Sequence, residues 1–241
     1  MLVPRESSAV KPRAIVGIAR GVLRCHMAQR LDYDTLRAER GFSWHVSATY
    51  LALLDASGVP IAAPSANRSS RISPTTASDV AEELAGRVSL ILDGGPCPIG
   101  LESTVVGFEN DKPVLLRSGA ISREEIERIA GPLGQSQNHM IHSPGQMASH
   151  YAPSARLRLN ASDVSEGEVL LAFGPNIPPG TNVVRNLSTS GDLREAAANF
   201  FAMLRALDKS GAKTIAVMPI PNEGLGQAIN DRLLRGAAPR E

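Results

Sequence analysis

Cysteine is almost absent: Cys25 and Cys97 are the only two in 241 residues. They are too few and too widely spaced for a disulfide framework or a zinc site, so a reducing compartment fits. Aromatic residues are scarce as well, with Phe 5, Tyr 3 and Trp 1, which argues against stacking platforms for bases. Neither sign of charge dominates. Lys plus Arg number 25 against 24 Asp plus Glu, so a charged partner must be met by a local patch, not by the field of the whole protein. No stretch approaches the roughly 18 apolar residues of a membrane span, and Met1-Leu2-Val3-Pro4-Arg5-Glu6 lacks the pattern of a secretory leader. The chain is therefore expected to be soluble and cytoplasmic, with no membrane partner. Standard nucleotide and hydrolase signatures are missing too: G-x-x-x-x-G-K-[ST], G-x-G-x-x-G and G-x-S-x-G do not occur. What is present is an apolar fraction of 43%, enough to bury one or two cores, and 21 Gly with 17 Pro, which mark a loop-rich chain.

Residues 1–50 carry a basic excess and no sustained period of 2 or 3.6, and no fold is assigned to them. From there the pattern sharpens. Apolar spacing predicts a helix over 48–56 ending at Gly58, then a buried strand over Val59–Ala63. Thr76 with Asp79 forms a capping box for a helix over 77–85, with Gly86 as its stop, followed by a strand over Val88–Leu92. Ser103–Val106 and Pro113–Leu116 flank the Asn110-Asp111 turn signal and predict a hairpin. Ser122 with Glu125 opens a further helix through Ile129, closed by Gly131-Pro132. Residues 132–156 lack a period and read as a linker. Strands over Val169–Phe173, Asn182–Val184 and Thr214–Met218 then alternate with helices over Leu193–Leu207 and Leu225–Leu234. That order predicts a small α/β unit with a partly parallel sheet. The expected division is 1–131, 132–156 and 157–241.

One loop gathers polar groups between a strand and a capped helix: Pro64-Ser65-Ala66-Asn67-Arg68-Ser69-Ser70-Arg71-Ile72-Ser73-Pro74. A junction of this kind offers unpaired backbone N–H groups and the positive end of a helix dipole, and so can hold an anion without a P-loop lysine. It is equally the composition of an ordinary polar turn with an N-cap. Glu102-Ser103-Thr104 is a second polar cluster, by itself the composition of a solvated turn. Arg117 at the end of an apolar strand is either a surface arginine or a guanidinium aimed at phosphate. His139-x-x-His142 has no carboxylate or cysteine ligand nearby, and no metal site is expected.

Five segments in order resemble the threonylcarbamoyl-AMP synthase family of the Sua5/YwlC/YrdC type, in its two-domain Sua5 form. They are Ala62-Ala63-Pro64-Ser65-Ala66-Asn67 with Ser73-Pro74-Thr75, Leu92 through Val105, Leu116 through Ile121, Ser143 through Pro153, and Gly224 through Leu233. The resemblance covers about four fifths of the chain. It implies an α/β architecture: an α+β YrdC-like catalytic domain and a small Rossmann-like α/β C-terminal domain. The implied reaction converts L-threonine, bicarbonate and ATP with Mg²⁺ into threonylcarbamoyl-adenylate and pyrophosphate, for the t6A modification of tRNA. It also implies a downstream t6A transferase machinery and a surface for tRNA or double-stranded RNA. Position by position, Ser65, Asn67, Ser73, Arg117 and His150 match ATP contacts, and Ala63 and Ser103 match positions near the threonine. The catalytic group itself is not identified.

Departures from the family lie at the N-terminal side. Members open with a P-T-E-T-V-Y-G-L-G-like segment and a K-x-R motif, both ahead of a strand ending L-V-x-P-R, whereas here Leu2-Val3-Pro4-Arg5 comes first. Lys11-Pro12-Arg13 is a literal K-x-R in the wrong place, and residues 11–46 do not match the family. The expectation is an incomplete catalytic domain with impaired synthesis. A non-catalytic RNA- or nucleotide-binding remnant of that family stands as the alternative.

Overall fold

Local capping chemistry sets where three of the helices begin. The computed structural model describes residues 15–18, 48–57, 65–110, 112–135 and 150–239. In it β1 (Ile15–Ile18) is followed by α1 (Ala48–Ser57), α2 (Ala77–Glu83) and β2 (Leu90–Asp93). The Thr76 hydroxyl accepts from the Asp79 N–H while the Asp79 carboxylate accepts from the Thr76 N–H, so both halves of the predicted box are made. The hairpin forms as β3 (Val105–Glu109) and β4 (Lys112–Arg117), antiparallel. Ser122 and Glu125 make the second reciprocal box, opening α3 (Arg123–Ala130). Gly131 closes that helix at φ 76°, a conformation that would strain any residue with a side chain. The strand expected over Val59–Ala63 lies outside the described residues.

The described residues of the first unit include two short sheets. β1 pairs parallel with β2, Ile15 opposite Leu90 and Ile18 opposite Asp93. β3, β4 and β5 (Gly134–Gln135) form the other, with β5 parallel to β4. Among its described residues, Ala66 and Val80 form a small cluster backed by Ala77, Leu84, Ile91 and Cys97.

The second unit is better packed. β6 (Arg156–Arg158), β7 (Glu168–Ala172), β8 (Val184–Asn186) and β9 (Thr214–Val217) form a four-stranded sheet in the order β6-β9-β7-β8. Every pairing in it is parallel, which corrects the expectation of a partly parallel sheet. The extra edge strand, β6, was not expected because Arg156-Leu157-Arg158 has charge on both sides of its single apolar residue. β8 also begins two residues later than expected. The Thr181 hydroxyl accepts from the Val183 N–H at 3.1 Å and holds the turn open to that point. α4 (Leu193–Asp208) starts at Asp192, whose carboxylate accepts from the N–H groups of Arg194 and Glu195. α5 (Leu225–Ala237) follows the last strand.

The main core belongs to both units. Phe200, Phe201, Leu204, Leu207, Ile215 and Ile229 are its centre, and Ile72, Leu101 and Tyr151 enter it from outside the second sheet. Backbones also meet directly. A Cβ placed on Gly100 would lie 2.3 Å from the Ala197 carbonyl oxygen on α4, so only glycine permits this approach.

Phe200 is fully buried at the heart of that core. Phe200→Ala is expected to cost about 3–5 kcal/mol, as lost transfer free energy plus an unfilled cavity. Chemical denaturation followed by far-UV circular dichroism reads this directly, and a loss under about 1 kcal/mol would place the core elsewhere.

Candidate functional site

The polar loop after residue 64 is tied at several points. Asn67 donates from Nδ2 to the carbonyls of Arg68 and Arg71, at 2.9 and 3.0 Å, and so closes the loop on itself. Its Oδ1 is buried without a partner among the described residues. Arg68 pairs with Glu83 at 3.1 Å, and Arg71 donates to the Ser154 hydroxyl at 3.0 Å. The Ala152 N–H donates to the Ser70 carbonyl at 2.9 Å, so the chain leading into the second unit lies along this loop. Ser65, at the loop's start, is exposed.

Ser73 is turned inward instead. It is 1% exposed, and its hydroxyl donates to Glu102 Oε1 at 2.9 Å. Glu102, on sequence composition part of a solvated turn, is ion-paired through Oε2 with Arg232 Nε at 3.3 Å. That corrects the solvated reading. The partner arrives from 130 positions along the chain, beyond any local pattern.

Ser103 and Arg117 are brought into contact. Arg117 donates from Nε and Nη2 to the Ser103 carbonyl at 3.2 and 2.8 Å, and from Nη2 to the Ser103 hydroxyl at 3.3 Å. The turn after Arg117 lies flat on the same strand start. The Ala120 N–H donates to the Glu102 carbonyl at 2.8 Å, and a Cβ on Gly119 would fall 2.4 Å from backbone atoms of Glu102, Ser103 and Thr104. Thr104 and Ile121 complete the seam, the Ile121 N–H donating to the Thr104 hydroxyl at 3.1 Å.

His150 stands at the edge of this group. It is buried, its N–H donates to the Arg235 carbonyl, and its Nδ1 has no partner among the described residues. Its ring meets Tyr151 edge-on at 4.0 Å. Tyr151 holds a left-handed backbone at φ 62°, unusual for an aromatic residue and a form of stored strain that clusters at functional segments. Among the charges acting on His150 are Glu102, Arg235, Arg232 and Arg117. The structure therefore joins Ser73 to Glu102 and Arg117 to Ser103, with His150 within electrostatic reach of Glu102 and Arg117. Asn67 and Ser65 lie on the adjoining loop. Ala63 and His139-x-x-His142 lie outside the described residues. Among the described residues no three His, Cys, Asp or Glu side chains cluster as metal ligands, and no helix is long and apolar enough to cross a membrane.

Sequence reasoning missed Glu102, Arg205 and Arg232. Both arginines interrupt apolar helix faces, in Leu204-Arg205-Ala206-Leu207 and Ile229-Asn230-Asp231-Arg232-Leu233. A charge at such a position was the available signal of a buried ion pair.

Comparison with known proteins places the chain in a family. A family model described as threonylcarbamoyl-AMP synthase, C-terminal domain, matches residues 121–238. A second, described as telomere recombination, matches residues 41–119. The threonylcarbamoyl-AMP synthase of Bacillus subtilis is 37% identical over 209 residues, covering 79% of this chain and 60% of the relative. That of Pyrococcus abyssi is 35% identical over 213 residues, covering 79% and 61%. Among solved structures, P. abyssi Sua5 complexed with L-threonine superimposes with a TM-score of 0.68 at 33% identity, covering 78% of this chain and 60% of that one. The two family models together span most of the chain, which belongs to the Sua5 family in its two-domain form. It spans about three fifths of the length of the relatives it matches.

Burial is the main force holding the His150 imidazole below its ordinary 6.5; Arg235, Arg232 and Arg117 act in the same direction and Glu102 opposes them. The unfolded imidazole takes up a proton as pH falls through 6.5 while the folded one resists, so stability falls with pH below that value. His150→Gln is expected to flatten this dependence, which for one proton cannot exceed about 1.4 kcal/mol per pH unit. An NMR titration of the ring should give a midpoint under 6.5, and a higher one would contradict the burial seen here.

Proposed function

We propose that the protein makes threonylcarbamoyl-adenylate from L-threonine, bicarbonate and ATP, releasing pyrophosphate, as the activated donor for t6A on tRNA. The observation that carries this reading is the pairing of Ser73 with Glu102 and of Arg117 with Ser103, with His150 within electrostatic reach, in a member of this family. In the reading, Ser65, Asn67, Ser73, Arg117 and His150 face ATP, and Ala63 and Ser103 face the threonine. Magnesium arrives with the nucleotide as part of the substrate. The work is placed in the cytoplasm, with tRNA and a t6A transferase taking the product onward.

The chemistry asks for positioning more than for a covalent nucleophile. The threonine amine adds to bicarbonate with loss of water, giving a carbamate. A carbamate oxygen then bonds to the α-phosphorus as the bond to pyrophosphate breaks. Both reactants are anions, so the chain must neutralise charge and keep water from the labile carbamate. Arg117 supplies a planar cation with its fork already aimed at Ser103. Asn67 Oδ1 and His150 Nδ1, buried without a partner among the described residues, are polar atoms that a ligand or water could satisfy. The connector bearing His150 lies beside the loop through the Ala152 to Ser70 hydrogen bond, as a cover over the nucleotide requires.

Pyrophosphate release that needs ATP, threonine and bicarbonate together is the expected result with the whole chain. Arg117→Ala should lower kcat/KM by about 10- to 100-fold, the worth of a charge-assisted contact. Salt-dependent RNA binding with no pyrophosphate from any combination of substrates would replace the synthase with a binding module.

A further inference from the structure

Two arginines of the second unit reach carboxylates of the first with side chains almost sealed from water. Arg205 on α4 donates to the Ile72 carbonyl at 2.6 Å and lies 3.4 Å from Glu83 and 3.7 Å from Asp79. Arg232 on α5 is placed more tellingly. Its Nε contacts Glu102 at 3.3 Å, and its Nη1 donates to the Ser118 carbonyl at 2.6 Å. Glu102 immediately precedes Ser103, and Ser118 immediately follows Arg117. One guanidinium therefore brackets the Ser103–Arg117 contact on both sides, and through Glu102 it also holds the Ser73 hydroxyl.

We infer that Arg232 is a positioning residue: the C-terminal unit uses it to set the geometry of Ser73, Ser103 and Arg117 for ATP and threonine. This inference rests on the synthase reading. A buried ion pair is a weak source of stability, because desolvation offsets most of the attraction. What the pair does supply is direction. A guanidinium is a rigid fork, and here its Nε takes Glu102 and its Nη1 takes the Ser118 carbonyl, two groups that lie just outside β3 and β4. Asp231 accepts from Nη1 at 3.0 Å, and the guanidinium carbon lies 5.6 Å from the centre of the Tyr151 ring, so the fork is itself held in orientation. A lysine has the charge but a single donor head, which cannot serve Glu102 and Ser118 in the same way.

The test uses the whole chain with Arg232→Met, Arg232→Lys and the double variant Arg232→Met with Glu102→Gln. The double variant removes the lone buried carboxylate that would otherwise destabilise the single one. The expected result is thermal stability recovered in the double variant while the KM values for ATP and threonine remain raised at least tenfold, with Arg232→Lys in between. A folded Arg232→Met variant whose KM values stay within twofold of the parent overturns the inference. So does a double variant that recovers both stability and KM. If the parent releases no pyrophosphate, the synthase reading fails, and amide exchange then decides on Arg232. Exchange at least tenfold faster at 102–104 and 117–119, with β7 unchanged, supports positioning, whereas unchanged or uniformly faster exchange overturns it.

Discussion

The Glu102 carboxylate is the group on which the arrangement depends. One of its oxygens takes the Ser73 hydroxyl and the other takes Arg232, so a single side chain joins the polar loop, the strand start at Ser103 and the last helix. Removing a carboxylate held this way would leave a guanidinium with no exposed side-chain surface short of one of its two counter-charges. Its backbone is equally engaged, since its carbonyl accepts from Ala120. The two units consequently share electrostatics as well as apolar area.

Among the described residues the apolar part of that sharing is lopsided. The second unit carries a layered core of aromatic and aliphatic side chains beneath a parallel sheet, while the first has a cluster centred on Ala66 and Val80. Ile72 and Leu101, each adjacent to a residue of the candidate site, are buried in the larger core and not in the smaller one. Loop residues with little burial of their own thus take their order from the helices they rest on. Catalytic and binding loops are often held by a rigid scaffold in this manner, and here the scaffold includes α4 and α5.

Much of the local structure was legible in the sequence. Thr76 with Asp79 and Ser122 with Glu125 begin helices because the cap and its reciprocal partner sit three residues apart, within reach of short-range reading. The hairpin around Asn110 is local for the same reason. The candidate site was legible only as a likeness of segments. Ser73, Ser103 and Arg117 could be named, but not the carboxylate that organises them, since its meaning comes from an arginine far away in sequence. β6 and β5 were missed because two- and three-residue strands with charged or small residues carry no period.

Gly100 shows how firmly the seam between the units is set. With the α4 backbone almost touching it, no lining of side chains lies between the two surfaces to be reshaped, so adding one methyl group would act as a wedge. Evolution has no room there to tune the spacing by degrees. A change in how the halves sit would have to come by parting them altogether or by redrawing the helix.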